Sequence, residues 1–436
     1  MRALNHNENV SHYERGSAEA TASISAVRES VRRPGPGRLY VALVAVLTLA
    51  TVIGLAALWP GDVDPKLGQG VIATGSERAE VERITEFRCS GAFTDRCRRV
   101  EVALKSGPDA GETTTLELGA GGVDPQLDVG DQVRVIKAAT PGPGAVPEGQ
   151  RIPGDEGAAA APDVPDYSLS DFERRKPMLL LVLLFAALVI AFGRWRGALS
   201  LVGLAVSLGI VLVFVVPAIL DGEEPLAVAL VGSLAVMLVT IALAHGLGPK
   251  SMAAILGTAA ALLLTVGLAV LFTELTHLTG LSSEEASLLR ANDAGVSLQG
   301  LLLAGIVIGA LGVLDDVTIS QASTVLALRG ANPSQGFREL FSRALQVGRD
   351  HVSATVNTLV LAYVGASLPV LLIFSSGDIG FVDAVNVELV AKEVVATMVG
   401  SIGLIAAVPI TTALAAVLAA GLPDEELAAE GHTHTH

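Results

Sequence analysis

The residues of this chain best suited to chemistry sit inside long apolar runs. Residues 305–328, GIVIGALGVLDDVTISQASTVLAL, begin as a Gly-spaced membrane helix and then present two adjacent carboxylates, Asp315 and Asp316. Asp316, Ser320, Ser323 and Thr324 fall at i, i+4, i+7 and i+8 and share one helical face. Asp315 is turned about 100° away from that face, at about 3.6 residues per turn. A later run aligns Asp350, Ser353 and Asn357, and the last aligns Glu393, Thr397 and Ser401. Charged groups within membrane helices are costly and usually face a protein interior or a water-filled path. Three such stripes therefore predict one polar path in which Asp316, Asn357 and Glu393 meet, with Asp316 and Glu393 at opposite ends. Carboxylate, amide and hydroxyl oxygens suit a hard cation, and the same carboxylates suit a proton relay.

Other readings of these residues differ in where they place the charge. A helix starting near Ser297 rises about 27 Å by Asp315, so both aspartates would also fit a solvated helix end. Glu388 and Lys392 would likewise fit a simple surface pair. The apolar residues 318–328 need burial, which favours buried carboxylates. An aspartyl protease dyad needs two carboxylates sharing a proton, and adjacent residues on one helix diverge. No Walker loop or cofactor fingerprint occurs, so neither an enzyme nor direct ATP driving is expected. No cofactor is expected beyond a bound cation. The terminal His432, His434 and His436 form a short tract of the kind that binds transition metals, although a flexible tail is the favoured reading.

Composition sets the scaffold. Of 436 residues, 51% are hydrophobic and 17% charged, with 46 glycines, and mean hydropathy is +0.57. That is the profile of a polytopic membrane protein. A net charge of −15 argues against nucleic acid as a partner. Gly305 and Gly309, continued by Gly312, form a GxxxG face for close helix approach, and Gly400 with Gly403 keeps the last helix slim.

Residues 1–38 read as a disordered tail, and 39–59 as the first span. The apolar core of a signal peptide is only about 7–15 residues, which favours an uncleaved helix. Residues 60–176 alternate like strands at 80–87, 98–104, 113–118 and 132–137 and predict a small β-rich domain, ending in a Pro- and Gly-rich linker at 145–165. Cys89 and Cys97 flank a hairpin loop and would pair in an oxidising compartment. Within 177–420, seven further runs lie at 177–193, 197–219, 226–245, 251–273, 297–317, 352–374 and 389–419, with Pro217, Pro369 and Pro409 expected to kink or break them. Asn332 and Pro333 would open an amphipathic helix over 333–349, either interfacial or packed on the bundle. Arg- and Lys-bearing loops alternate with loops carrying Asp221, Glu223, Glu224, Glu284, Glu285 and Asp378. The positive-inside rule then puts both termini and the 421–436 tail in the cytoplasm and the β-domain outside.

Three segments, GALGVLDDVTISQAS, VGRDHVSATVNTLVLAYVGASLP and ELVAKEVVATMVGSIGLIAAVP, resemble the YibE/F family of bacterial membrane proteins. The resemblance extends to the first helix, the LDVGDQV turn and the YSLSDFERR re-entry, so it spans roughly residues 39–420. It implies a multi-pass membrane protein of the bacterial envelope and supplies no catalytic or binding roles; the expected location is the bacterial cytoplasmic membrane. The expected fold is an all-α bundle of about eight transmembrane helices, with an extracytoplasmic β-rich domain between helices 1 and 2. The expected function is a transporter or channel-like protein for a small solute such as an ion, its path formed by helices 6, 7 and 8. The alternative is an envelope scaffold or sensor whose β-domain binds a partner. Partners on these readings are the bilayer, a small solute or ion, and an envelope protein or a second copy of the chain.

Overall fold

The computed structural model describes residues 36–61, 75–88, 96–119, 125–137, 167–291, 295–377 and 380–422. Cys89, the 145–165 linker, Asp378, the expected tail through residue 35 and the terminal His432, His434 and His436 lie outside the described residues. The chain forms two compact units, Pro65–Leu188 and Met1–Asp64 with Val189–His436.

The first unit is a five-stranded antiparallel sheet in the order β3-β2-β1-β4-β5. Its strands are β1 (Glu77–Arg88), β2 (Arg96–Leu104), β3 (Thr113–Leu118), β4 (Gln132–Lys137) and β5 (Tyr167–Phe172). The edge strands β3 and β5 approach each other, so the sheet curls into a half-barrel. Alternate residues fill its core, including Val81, Val100, Val102, Leu116, Val133 and Val135. The register of β1 against β2 slips between Val81 and Arg83. There the Gly130 amide donates to the Val81 carbonyl and the Val81 amide to the Asp131 carbonyl. Gly130 sits at φ 96°, the left-handed region this turn needs. β5 falls in the re-entry segment, beyond the four strands expected. Its Tyr167 donates to Asp109 at 2.6 Å, and Lys137 donates to the same carboxylate oxygen at 2.6 Å. The lysine, and then the tyrosine, hold the Asp109 carboxyl below its ordinary range. The bond to Asp109 is in turn the main reason that the Tyr167 hydroxyl is held above its ordinary range.

The second unit is helical, with α2 reaching into it from Arg175. Its helices are α1 (Pro36–Ala57), α2 (Arg175–Ile210), α3 (Val216–Leu220), α4 (Pro225–His245), α5 (Pro249–Leu275), α6 (Glu284–Ala291), α7 (Leu298–Ala331), α8 (Phe337–Ala366), α9 (Leu368–Ser376), α10 (Phe381–Asn386) and α11 (Glu388–Ala420). One π-helical turn, Val211–Val215, joins α2 to α3. Starts are chemically marked: Glu224 accepts from the Leu226 and Ala227 amides ahead of Pro225, and the Ser297 hydroxyl accepts from the Gly300 amide. Among the described residues, six helices are long and apolar enough to cross a membrane, and the α8–α9 pair makes a seventh.

Several boundaries depart from the sequence expectation. The run placed at 297–317 continues to Ala331, because nothing helix-breaking precedes Asn332 and Pro333. Asp315 and Asp316 thus lie in the middle of a helix, not at its end. Asn332 closes α7 and its side chain accepts from Ser334, so it does not open the next helix. The segments expected at 333–349 and 352–374 are one helix, α8, that bends by 61° into α9 where Pro369 removes a donor. The apolar face of its first half packs on the bundle, with Leu340 and Ala344 buried. The runs at 177–193 and 197–219 are joined within α2, which breaks at Arg194 with φ 50° and ψ −131°. A Cβ on Gly197 would overlap the Val189 carbonyl, so the chain turns sharply there. Pro409 remains inside α11 without ending it. Membrane helices tolerate this where neighbouring helices surround the freed carbonyl.

The helical core is the packing of α5, α7 and α11 on one another. α5 and α11 run antiparallel and lock reciprocally: Thr411 of α11 sits on Gly257 of α5, and Thr265 of α5 sits on Gly403 of α11. A side chain at either glycine would overlap the threonine hydroxyl. Thr265 cannot simply rotate away, because its hydroxyl donates to the Ala261 carbonyl at 2.8 Å. α5 meets α7 through a 2.5 Å hydrogen bond between the buried Thr258 and Thr318 hydroxyls. Gln321 of α7 donates to the Ala344 carbonyl of α8 at 2.8 Å and to the Thr412 hydroxyl of α11 at 2.7 Å. α1 joins through Tyr40, whose hydroxyl donates to the Leu414 carbonyl at 2.8 Å. Gly403→Ala is expected to cost about 1–3 kcal/mol by overpacking. This would appear as a lower thermal unfolding midpoint in detergent, and adding Thr265→Ala should recover most of the loss.

Candidate functional site

The neighbours of α7 set the environment of its two carboxylates. α4 packs along one side of α7, with α5 and α11 behind and α8 on the other side. α7 buries the face carrying Leu303, Val307, Ala310, Leu314, Thr318 and Gln321. That choice turns Gly305, Gly309, Gly312 and Asp316 outward, where all four are exposed. The three glycines therefore do not seat a neighbouring helix among the described residues, although Tyr363 of α8 passes over Gly309. Gly400 and Gly403 do what was expected of them: both are buried, against Leu359 and Thr265.

Asp315, one residue off the exposed stripe, is half-buried against α4. Its Oδ2 lies 3.2 Å from the Thr240 hydroxyl, and its Oδ1 is buried without a partner. The Thr240 hydroxyl is also 2.8 Å from the Val236 carbonyl. The single hydroxyl proton is thus contested by the carbonyl and the carboxylate.

Depth follows from register. The Gln321–Thr412 bond places Leu414, and with it Tyr40 near the start of α1, about two residues beyond Gln321. Asp315 then lies about 12 Å farther along the bundle axis, at about 1.5 Å per residue. Asp316 is exposed and within electrostatic reach of His245, as are Arg196 and Lys250. His245 therefore lies within reach of one carboxylate and two basic side chains.

The three expected stripes do not converge on one cavity. α7, α8 and α11 are mutual neighbours, but α8 meets them through Ala344 and Gly348, which leaves Asp350, Ser353 and Asn357 exposed. Ser323, Thr324 and Ser353 donate to the carbonyls four residues back on their own helices, and Ser320 is half-buried. Thr397 and Ser401 are buried in helix packing, and the Ser401 hydroxyl has no partner. Glu393 is half-buried beside Lys392 at 3.9 Å, near the end of the bundle where α11 begins. Glu388 does not pair with Lys392; it accepts from the Thr279 amide and hydroxyl and the Gly280 amide. Near that loop is a cleft of about 440 Å³ bearing Thr279, Leu281, Arg290 and Gln299.

The polar residues that build the interior are ones the sequence reading passed over: Thr240, Thr258, Thr265, Thr318, Gln321 and Thr412. Gln321 carried a signal, since an amide amid an apolar helix needs a partner. The threonines carried little, because each also serves as a small β-branched packing residue. Among the described residues, no three His, Cys, Asp or Glu side chains gather as metal ligands. A cation at Asp315 would rest on one carboxylate, the Thr240 hydroxyl and helix carbonyls.

No curated protein and no solved structure matches the chain. A family model described as YibE/F-like protein matches residues 181–421, most of the helical unit and more than half of the chain. With both the helical architecture and that match in hand, the chain belongs to the YibE/F-like family.

Proposed function

We propose that this chain is a membrane transporter or channel-like protein for a small solute, an ion or proton first among them, and that it is not driven by ATP. The placement of Asp315 supports the reading: a carboxylate half-buried between α4 and α7, at membrane depth, with one oxygen unpartnered. Such groups in membrane helices are the usual seats of ion and proton coupling. The coupling role passes from Asp316, favoured by helical periodicity, to Asp315. A path past Asp315 would have α4 and α7 as its walls. Protonation of Asp315 or a cation bound there would change how the Thr240 hydroxyl is shared between carboxylate and carbonyl. Asp315→Asn should lower ion- or proton-coupled flux in proteoliposomes at least about tenfold, equivalent to about 1.4 kcal/mol in the barrier, while Asp316→Asn keeps most of it. Full flux in Asp315→Asn would remove the proposed role.

The topology is part of the proposal. α7 and α11 run parallel, and α5 and α8 run antiparallel to them, by the levels of Gln321, Thr412, Ala344, Thr258 and Thr318. The 46 residues Arg175–Leu220 would run about 69 Å as one helix, over twice the bilayer core of about 30 Å. Counting the segments on either side of Arg194 separately, and the bent pair once, brings the spans to eight. Both termini then face the cytoplasm of a bacterial inner membrane, and the β unit faces outward. Cys97 is buried on β2, and outside the cytoplasm its bridge to Cys89 would form. Cysteines at Glu223 and Ser376, in a parent lacking Cys89 and Cys97, should react with an impermeant thiol reagent from outside, and one at Ser334 should not. Glu223 is preferred to its neighbour Gly222, whose φ of 99° resists a side chain. Reversed labelling would invert the orientation.

A further inference from the structure

A poorly covered part of the helical unit is α8 and α9. From residue 349 to 377 no side chain is buried, and α8 draws its buried residues only from Leu340, Ala344 and Gly348. Yet this stretch lies at membrane depth: Leu359 packs against Gly400, well inside α11. The uncovered surface is also not simply apolar. Ser353, Asn357, Leu361 and Val364 are exposed at i, i+4, i+8 and i+11, along one side of the helix. The Asn357 amide makes no hydrogen bond among the described residues, and lipid chains offer it neither donor nor acceptor.

We propose that this face of α8 is an interface between two copies of the chain, related by a two-fold axis along the membrane normal. Three features select a second copy as the occupant. A carboxamide is both donor and acceptor, so Asn357 pairs reciprocally with the partner's Asn357, which a two-fold brings opposite it. Leu361 and Val364 continue the seam with residues that pack on themselves, and one polar residue in such a seam fixes register. Neighbouring α7 exposes Gly305, Gly309 and Gly312, so the approaching helix meets no side chain there. The interface does not depend on the transport reading, and its test needs no substrate.

The test uses the full chain in membranes, with Cys89 and Cys97 replaced by serine. Asn357→Cys and Val364→Cys should form disulfide-linked dimers on mild oxidation. Val213→Cys, which is exposed on the π-helical turn, should not. Unmodified protein in nanodiscs should show two chains per particle by mass photometry. Asn357→Leu should raise the dimer dissociation constant roughly three- to thirtyfold, the range for one interhelical polar contact, and Asn357→Gln less. Equal cross-linking at Val213, single chains per disc for the unmodified protein, or an Asn357→Cys adduct with a different protein would each overturn the proposal. A dimer that carries no flux would leave the interface standing and count against transport alone.

Discussion

The helical unit depends on how closely α5 and α11 approach. Thr411 over Gly257 and Thr265 over Gly403 set that distance, and each contact tolerates no Cβ on the glycine. In a bilayer, apolar burial does little to drive helices together, because lipid tails are as apolar as leucine. Close fit and internal hydrogen bonds must hold them instead. With α5 and α11 at this spacing, α7 fits against both and presents Thr318 and Gln321 where Thr258 and Thr412 can bond them. The Gln321 bond to Ala344 then fixes where α8 begins its crossing.

That arrangement also determines which carboxylate is held. Rotating α7 to bury Thr318 and Gln321 turns Asp316 to the exposed stripe and Asp315 toward α4. The two aspartates differ by one residue in sequence and by about 100° around the helix, and this rotation gives them unlike environments. Asp315 meets a threonine whose proton is contested by a carbonyl, whereas Asp316 is exposed within reach of His245. α8 meets the bundle through Leu340, Ala344 and Gly348, which leaves Asn357 on an uncovered face.

The β unit follows a different logic. Its sheet is held by backbone ladders and an alternating core, and its last two strands are tied to Asp109, β5 by Tyr167 and β4 by Lys137. This is chemistry suited to water, with ionic contacts left at the surface. The helical unit instead hides its polar contacts between helices.

The amino-acid sequence alone determined the class of this protein, four of its five strands, most of its span positions and its family. Those features rest on local period, length and turn chemistry, which a short window of residues contains. It also marked Asp315, Asp316, Asn357 and Glu393 as residues needing an explanation, because charge and amide groups stand out within apolar runs. Only the tertiary structure decided that Asp315 and not Asp316 is sheltered, that α7 runs unbroken to Ala331, and that Thr265 and Gln321 hold the interior. These outcomes depend on which helix face a neighbour covers, and that is set by the summed fit of all the helices around it. Periodicity places residues on a common face, but it does not say which way the face points.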